Sequence, residues 1–252
     1  MEAQEFRTVS LTDLLRRALR MYYDTLVPAV PIALALNLPL LVIGALPMEA
    51  EEGSPWLLSL VLVLVLICSG IAVSSITRIL ISNACGILVP FGTLVKLTFR
   101  RSLIAMILGF AITSFLSNLG LLVFVLPGLL AGGLFAVTLP AILVERRSAL
   151  SALVRSVSLM RMDIFKAMAA FSFGTIASEL VPLGIMLGLQ SAVGPSPFSP
   201  LLAVLINGIT LPIALSVGVA LYESARMSEG LQKESVRREL AQAAIGDVRQ
   251  SQ

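Results

Sequence analysis

Glu179 is the residue whose type and position most strongly suggest chemistry. It lies inside a long apolar stretch, over 165–189, well away from any lysine or arginine. If that stretch crosses a membrane, an ionised carboxylate near its middle costs about 2.5 to 3.5 kcal/mol on insertion scales. We therefore expect Glu179 to be protonated or hydrogen-bonded, and the amides of Asn37, Asn118 and Asn207 are its candidate partners.

Two interpretations of Glu179 follow from its chemistry. In the first, the carboxyl group is a proton or cation site. In the second, it is a neutral acid that bridges helices or faces an outer vestibule. We favour the second, although an ionisable residue inside a membrane is by default a candidate functional site.

Histidine is missing from the chain. This removes the usual general base, the commonest metal ligand and the histidine-dependent nucleophile pairs. Neither Cys68 nor Cys85 has a partner at metal-ligand spacing, so we interpret both as small apolar fillers. Intramembrane catalysis needs paired acids, a nucleophile with a base, or several metal ligands, and Glu179 alone does not meet that need. We expect no catalytic residues, no metal and no cofactor, and hence no enzyme.

Several arginines and one tyrosine are candidate lipid-headgroup contacts. Tyr222, Arg226 and Glu229 recur on one helical face, so that tyrosine can anchor at an interface while Arg226 pairs with Glu229 and Gly230 ends the helix. We favour this anchoring role over specific recognition of a lipid. The remaining candidates serve membrane topology first and contact anionic lipids as a consequence; they are Arg146, Arg147, Arg155 and Arg161.

Composition places the chain in a membrane. Of its 252 residues, 57% are apolar and only 13% are charged, far from the balance of soluble domains. The mean hydropathy is +0.96. The net charge of +3 is small, so the basic residues do not indicate a nucleic-acid partner.

Long apolar stretches predict an all-α, polytopic membrane protein with six transmembrane helices. Each stretch approaches the roughly twenty residues that a helix needs to cross a bilayer. Within the uncharged run 103–144 we place the turn at Pro127 and Gly128 in preference to 118–120, because proline suits the first turn of a helix. The six predicted spans are 26–46, 56–76, 103–126, 128–144, 165–189 and 201–222.

The distribution of cations predicts the orientation. All 18 lysines and arginines fall on one side of the six spans, and cytoplasmic loops retain such cations. Both termini are therefore expected in the cytoplasm, with the protein in the cell (inner) membrane. Residues 1–25 should form a cytoplasmic or interfacial amphipathic helix, 26–222 the membrane domain and 223–252 a cytoplasmic tail. Further interfacial helices are expected over 79–101 and 148–166.

Prolines and glycines suggest bent helices and close packing. Kinked helices can line a cavity, but prolines are also ordinary in membrane helices, and we favour simple kinks. The spacings Gly128 to Gly132 and Gly184 to Gly188 allow close helix approach, either within the bundle or in a dimer. The prolines within predicted spans are Pro28, Pro31, Pro39, Pro140, Pro182 and Pro212.

Several short sequence motifs, in order along nearly the whole chain, resemble those of a known family. They include the Leu- and Arg-rich opening at 11–23, the break at 126–128, the words at 139–140 and 144–145, the helix around 152–159 and the close at 222–230. In these the chain resembles the membrane domain of glycerophosphoryl diester phosphodiesterases and related stand-alone six-helix bacterial membrane proteins. The resemblance implies the fold and no activity, since catalysis in those enzymes belongs to a separate soluble domain that this sequence lacks. An excess of fifteen arginines over three lysines also fits a GC-rich bacterial genome.

The sequence is compatible with two functions. We expect a non-enzymatic scaffold or accessory subunit that contacts anionic lipids on the cytoplasmic side and a protein partner or a second copy of itself. The alternative is a small transporter or lipid-handling protein that uses Glu179 and proline-kinked helices around a cavity.

Overall fold

The structure, a computed structural model, describes residues 9–45, 55–87, 102–194 and 199–245. Over these residues the chain is helical and has no strand, which confirms the all-α class. A 3-10 turn at Arg161–Asp163 and a π-helical turn at Ile176–Leu180 join neighbouring helices. The α-helices are α1 (Leu11–Ala45), α2 (Pro55–Ala84), α3 (Ser102–Val123), α4 (Val125–Phe135), α5 (Thr138–Glu145), α6 (Ala149–Met160), α7 (Ile164–Thr175), α8 (Val181–Val193), α9 (Ser199–Ser228) and α10 (Lys233–Ile245).

Five helical segments of the described chain are long and apolar enough to cross a membrane. Each contains most of one of the last five predicted spans. The first predicted span, 26–46, falls mainly in α1, which is not among the five, and its side chains from residue 36 onwards lie outside the described part. A sixth span therefore stays a prediction. The five segments are Ser59–Ala84, Ser102–Val123, Val125–Glu145, Ala149–Ala192 and Leu201–Ser228.

The start of α1 differs from the predicted separate interfacial helix over residues 1–25. Ser10 caps the helix, since its hydroxyl accepts a hydrogen bond from the Asp13 amide at 3.1 Å, and no break follows before Ala45. Leu14, Ala18 and Met21 follow the helical repeat and are buried in the core. Because this stripe packs against the bundle, the amphipathic segment extends α1 along one axis.

The hairpin between α3 and α4 reverses at Phe124, three residues before the predicted turn at Pro127 and Gly128. Pro127 instead lies in the opening turn of α4, the position that suits a residue without an amide hydrogen. A Cβ atom on Gly120 would lie 2.7 Å from the Gly128 Cα atom. Helices α3 and α4 thus pack closely against each other at Gly120 and Gly128.

Pro140 interrupts the fourth predicted span, as its position suggested. It cannot donate to the carbonyl of Ala136 and its ring crowds that group, so the helix breaks between Phe135 and Thr138. A Cβ atom on Gly218 would lie 2.8 Å from the Ala136 carbonyl oxygen. Glycine at this point of α9 lets the broken helix pack closely.

The C-terminal helix α10 is docked on the bundle, although 223–252 was predicted to be a tail. Val236 and Leu240 are 1% and 0% exposed and belong to the same core as Leu14 and Tyr222. Helix α10 contacts α2, α5 and α9. We call the end of the bundle where it lies, together with the start of α1 and the ends of α2, α5 and α9, the basic end.

The other two predicted interfacial segments are described unequally. Over 148–166 the chain forms α6 and the turn that follows, with Ala152, Ser156 and Leu159 buried against the bundle. Of the segment 79–101, residues 88–101 lie outside the part that the structure describes.

Candidate functional site

A chain of ion pairs joins four elements at the basic end. Arg155 on α6 donates from Nε to both oxygens of Glu145 at the end of α5, at 3.1 and 3.2 Å. Its two terminal nitrogens each lie 2.7 Å from an oxygen of Glu229, which follows α9. Arg226 then links Glu229 at 2.6 Å to Glu239 of α10 at 2.8 Å. This network connects α5, α6, α9 and α10 through charge-assisted hydrogen bonds.

Charges within the network balance, because three arginines face three glutamates when Arg147, which donates to Glu145 at 2.6 Å, is included. Burial alone would raise the pKa of Glu229, but the hydrogen bonds from Arg155 and Arg226 outweigh it and hold that pKa below its ordinary value of 4.5. Glu229 is therefore ionised at neutral pH.

The predicted pairing of Arg226 with Glu229 is confirmed, and Gly230, with φ +86°, follows the end of the helix as expected. Tyr222 is placed differently from an interfacial anchor. It is 0% exposed, and its hydroxyl donates to Glu145 at 3.2 Å. Tyr222, Arg226 and Arg155 are thus engaged by carboxylates of the same chain.

The other candidate headgroup contacts are exposed. Arg147 pairs with Glu145 yet keeps 42% of its side chain exposed. Arg146 ends α5 in the left-handed conformation, with φ +53°, and is exposed, as is Arg161 in the 3-10 turn. These three side chains can reach an anionic surface while the ion pairs of Arg155 and Arg226 stay intact.

Arg17 and Glu223 form a second ion pair that sequence patterning did not indicate. Glu223 is 1% exposed, and Arg17 on α1 donates to its Oε1 atom across a separation of 206 residues. The other carboxylate oxygen, Oε2, is buried without a hydrogen bond within the described chain. The sequence contained one signal, because Glu223 is an acidic residue that directly follows the apolar stretch 201–222.

Glu179 lies on the outer surface of the bundle, midway between Ile164 and Val193. It belongs to the π-helical turn Ile176–Leu180, where an extra residue is accommodated in the helix. Its neighbour Ser178 is buried and its carbonyl accepts a hydrogen bond from Thr210 of α9 at 3.3 Å, whereas Glu179 is exposed. The π-helical turn therefore packs through Ser178 and presents Glu179 outwards.

The predicted polar partners of Glu179 differ in their exposure. Asn118 is exposed near the end of α3, and Asn207 on α9 is half-buried. No hydrogen bond is recorded between either amide and Glu179 in the described part of the chain. The side chain of Asn37 lies outside the described residues. The grouping of Glu179 with Asn37, Asn118 and Asn207 in one polar site therefore stays a prediction.

Comparison of the chain with family models, curated proteins and solved structures finds no match.

The surface beside Glu179 is apolar and open. Ile176 and Leu180 are 51% and 56% exposed, and most of α8 is exposed as well. The glycine pairs that were predicted to pack behave in two ways. Gly132 packs against Phe171, whereas Gly184 and Gly188 have nothing within 4 Å of an added Cβ atom. The face of α8 that carries the second pair is therefore not covered by the described part of the chain.

Metal-ligating and thiol chemistry have few candidates here. Within the described ranges, no group of three or more cysteine, aspartate or glutamate residues could hold a metal ion. Burial, together with the nearby Glu223 carboxylate, raises the pKa of the Cys85 thiol to about 11. The Cys85 sulfur lies 3.5 Å from the Arg237 carbonyl oxygen, to which it donates, so it helps to hold α10 in place.

Proposed function

We propose that this chain is a non-enzymatic accessory or scaffold subunit of the cytoplasmic membrane, and that its partner helix packs on the surface around Glu179. The observation that carries the proposal is the outward position of an acidic side chain in the middle of an apolar surface. An acid that served only the fold of this chain would be expected to face its interior.

Energetics favour a covered Glu179. A carboxyl group exposed to hydrocarbon lacks hydrogen-bond partners, and each unsatisfied polar group in that environment costs several kcal/mol. A second helix with an amide, hydroxyl or cationic side chain at the same depth removes that cost. The partner's contacting side chain is therefore a hydrogen-bond donor in the middle of its own span.

The bare face of α8 supports the same proposal. Gly184 and Gly188 lie one turn apart with open space above them, and small residues let two membrane helices approach closely. Glu179 would supply a polar contact and these glycines a close backbone approach, at two levels of one helical segment.

Orientation completes the proposal. We place six spans in the membrane with the basic end in the cytoplasm, because cations concentrate there and are retained on that side. Exposed Arg146, Arg147 and Arg161 would then contact anionic headgroups. The resemblance to the membrane domain of glycerophosphoryl diester phosphodiesterases agrees with a membrane module that has no active site of its own. Labelling of a cysteine introduced at Arg161 from outside intact cells would contradict this orientation.

The test is native mass spectrometry of gently extracted protein expressed at its natural level. We expect the wild type in an assembly with a second copy or with another membrane protein. Glu179→Leu should weaken that assembly by roughly threefold to thirtyfold, the effect of one interhelical hydrogen bond. Ile176→Leu, a conservative change on the same exposed surface, is the matched control and should leave the assembly intact.

A lone monomer from wild-type cells would contradict the proposal. So would an assembly that Glu179→Leu and Ile176→Leu leave equally stable, because the partner would then dock elsewhere.

A further inference from the structure

A pocket of about 320 Å³ lies at the basic end, apart from the ion-pair network and from Glu179. Its walls come from the start of α1, the end of α2 and the start of α10. Five cationic side chains line it, and we call it the cationic pocket; they are Arg16, Arg17, Arg20, Lys233 and Arg237. Two carboxylates, Asp13 and Asp24, also line it, so cations exceed anions on its walls.

Carboxylates of the described chain balance only part of this positive charge. Arg17 is committed to Glu223, and Arg16 lies 3.9 Å from Asp13. Arg20, Lys233 and Arg237 have no ion pair with any carboxylate that the structure describes. Three like charges around one pocket repel one another, and an anion placed between them would relieve that repulsion.

Helical spacing places the pocket cations of each helix on one face of that helix. Arg16 and Arg20 are four residues apart on α1, and Lys233 and Arg237 are four residues apart on α10, so each pair shares a helix face. Both pairs border the same pocket. An anion in the pocket would therefore be contacted from two opposed helices.

The walls are held in place before any ligand binds. Asn83 of α2 donates to the Asp24 carbonyl and to the Thr25 hydroxyl of α1, both at 3.2 Å. The pair of Arg17 with buried Glu223 fixes α1 to α9, and Cys85 contacts the Arg237 carbonyl. A pocket with fixed walls spends little of its binding free energy on ordering side chains and helices.

The position along the chain is that of a membrane interface. Asn83 and Ala84 end the apolar segment Ser59–Ala84, and Lys233 follows the end of the segment Leu201–Ser228 by a short turn. Tyr23, beside the pocket residue Asp24, is 67% exposed, as an interfacial tyrosine would be. Phospholipid phosphates lie at this level of a bilayer.

We propose that the cationic pocket binds a phosphate group, presented by the headgroup of an anionic phospholipid. A free phosphate ion has the same chemistry, and the experiment distinguishes the two sources. The site is independent of the Glu179 surface, so either proposal stands if the other fails.

The first arm measures lipid binding to the full chain in detergent by native mass spectrometry. Phosphatidic acid, phosphatidylglycerol and phosphatidylcholine are compared, because the net negative charge of their headgroups decreases in that order. We expect bound lipid to follow the same order. Each of Arg20→Gln and Arg237→Gln should weaken binding of the anionic lipids by about fivefold, the usual effect of one cation near a membrane surface.

Arg238→Gln is the matched control, since Arg238 is exposed on the same helix and does not line the pocket. It should change lipid binding by less than either pocket variant. Circular dichroism and size-exclusion chromatography check that each variant is folded.

The second arm replaces lipid with inorganic phosphate. Stabilisation by phosphate that Arg20→Gln and Arg237→Gln abolish, without discrimination among lipids, would assign the pocket to a soluble phosphate. Lipid discrimination that the same variants abolish would assign it to a headgroup. Pocket variants that match Arg238→Gln in both arms would overturn the proposal.

Discussion

Arg17 of α1 and Glu223 near the end of α9 form an ion pair across 206 positions of the sequence. Glu223 is 1% exposed and Arg17 is 27% exposed by side chain, so the carboxylate is almost wholly removed from water and depends on its partner. Lys233 and Arg237 also act on Glu223 electrostatically. One buried acid thus connects the start of α1, the end of α9 and the cationic pocket.

Removing Arg17 should destabilise the protein severely. Arg17→Met leaves Glu223 as a buried charge without its hydrogen-bond donor, and breaking such a pair costs about 3 to 5 kcal/mol. The double variant Arg17→Met/Glu223→Leu should recover most of that loss, because two apolar side chains do not require solvation. Thermal unfolding in detergent, followed by circular dichroism, measures both.

Arg16→Met is the control for this comparison. Arg16 is 73% exposed by side chain and lies 3.9 Å from Asp13, a geometry that contributes about 0 to 1 kcal/mol. A double variant that is as unstable as Arg17→Met alone would contradict this explanation. It would show that the loss of stability in Arg17→Met does not come from leaving the Glu223 charge buried and unpaired.

Sequence patterning predicted what depends on local spacing. Long apolar runs identified the last five spans, and a spacing of three residues identified the pair of Arg226 with Glu229. It could not predict that Arg155 contacts Glu229 from 74 residues away, since that contact depends on how α6 packs against α9. Glu223 was missed for the same reason.

The depth and the orientation of Glu179 show the same limit of prediction from sequence. Its place midway along an apolar stretch was readable from the sequence, because depth follows from residue count. The direction in which its side chain points could not be predicted, because the π-helical turn Ile176–Leu180 inserts a residue and rotates the helix surface at that point.

Acid should weaken the ion-pair network through Glu229. Its folded pKa lies below its ordinary value, so the unfolded chain binds a proton more tightly than the folded one. The stabilisation is complete above the ordinary carboxyl pKa of 4.5. It is lost as the pH falls through the lower, folded pKa. The apparent melting temperature should therefore be level near neutral pH and fall on acidification.

Glu229→Gln separates this contribution from general acid effects. The variant cannot accept two ionic hydrogen bonds from Arg155, so it should melt lower than wild type at neutral pH and show a smaller further loss in acid. Equal acid sensitivity of the two proteins would place the titrating group elsewhere. Limited proteolysis after Gly230 gives a second measurement, because release of α10 should expose that linker.

Glycine packing should distinguish the closed hairpin from the open helix α8. A Cβ atom on Gly120 would lie 2.7 Å from the Gly128 Cα atom and 2.9 Å from its amide nitrogen, so the backbone of α4 must move in Gly120→Ala. Overpacking of this kind costs about 1 to 3 kcal/mol. Gly184→Ala meets nothing within 4 Å, and alanine's helix propensity should stabilise the isolated chain by up to about 1 kcal/mol. Thermal unfolding of purified monomer should thus move in opposite directions for the two variants. If a partner helix covers α8, Gly184→Ala should also weaken the assembly seen by native mass spectrometry, because its methyl group would separate two backbones that glycine allows to touch.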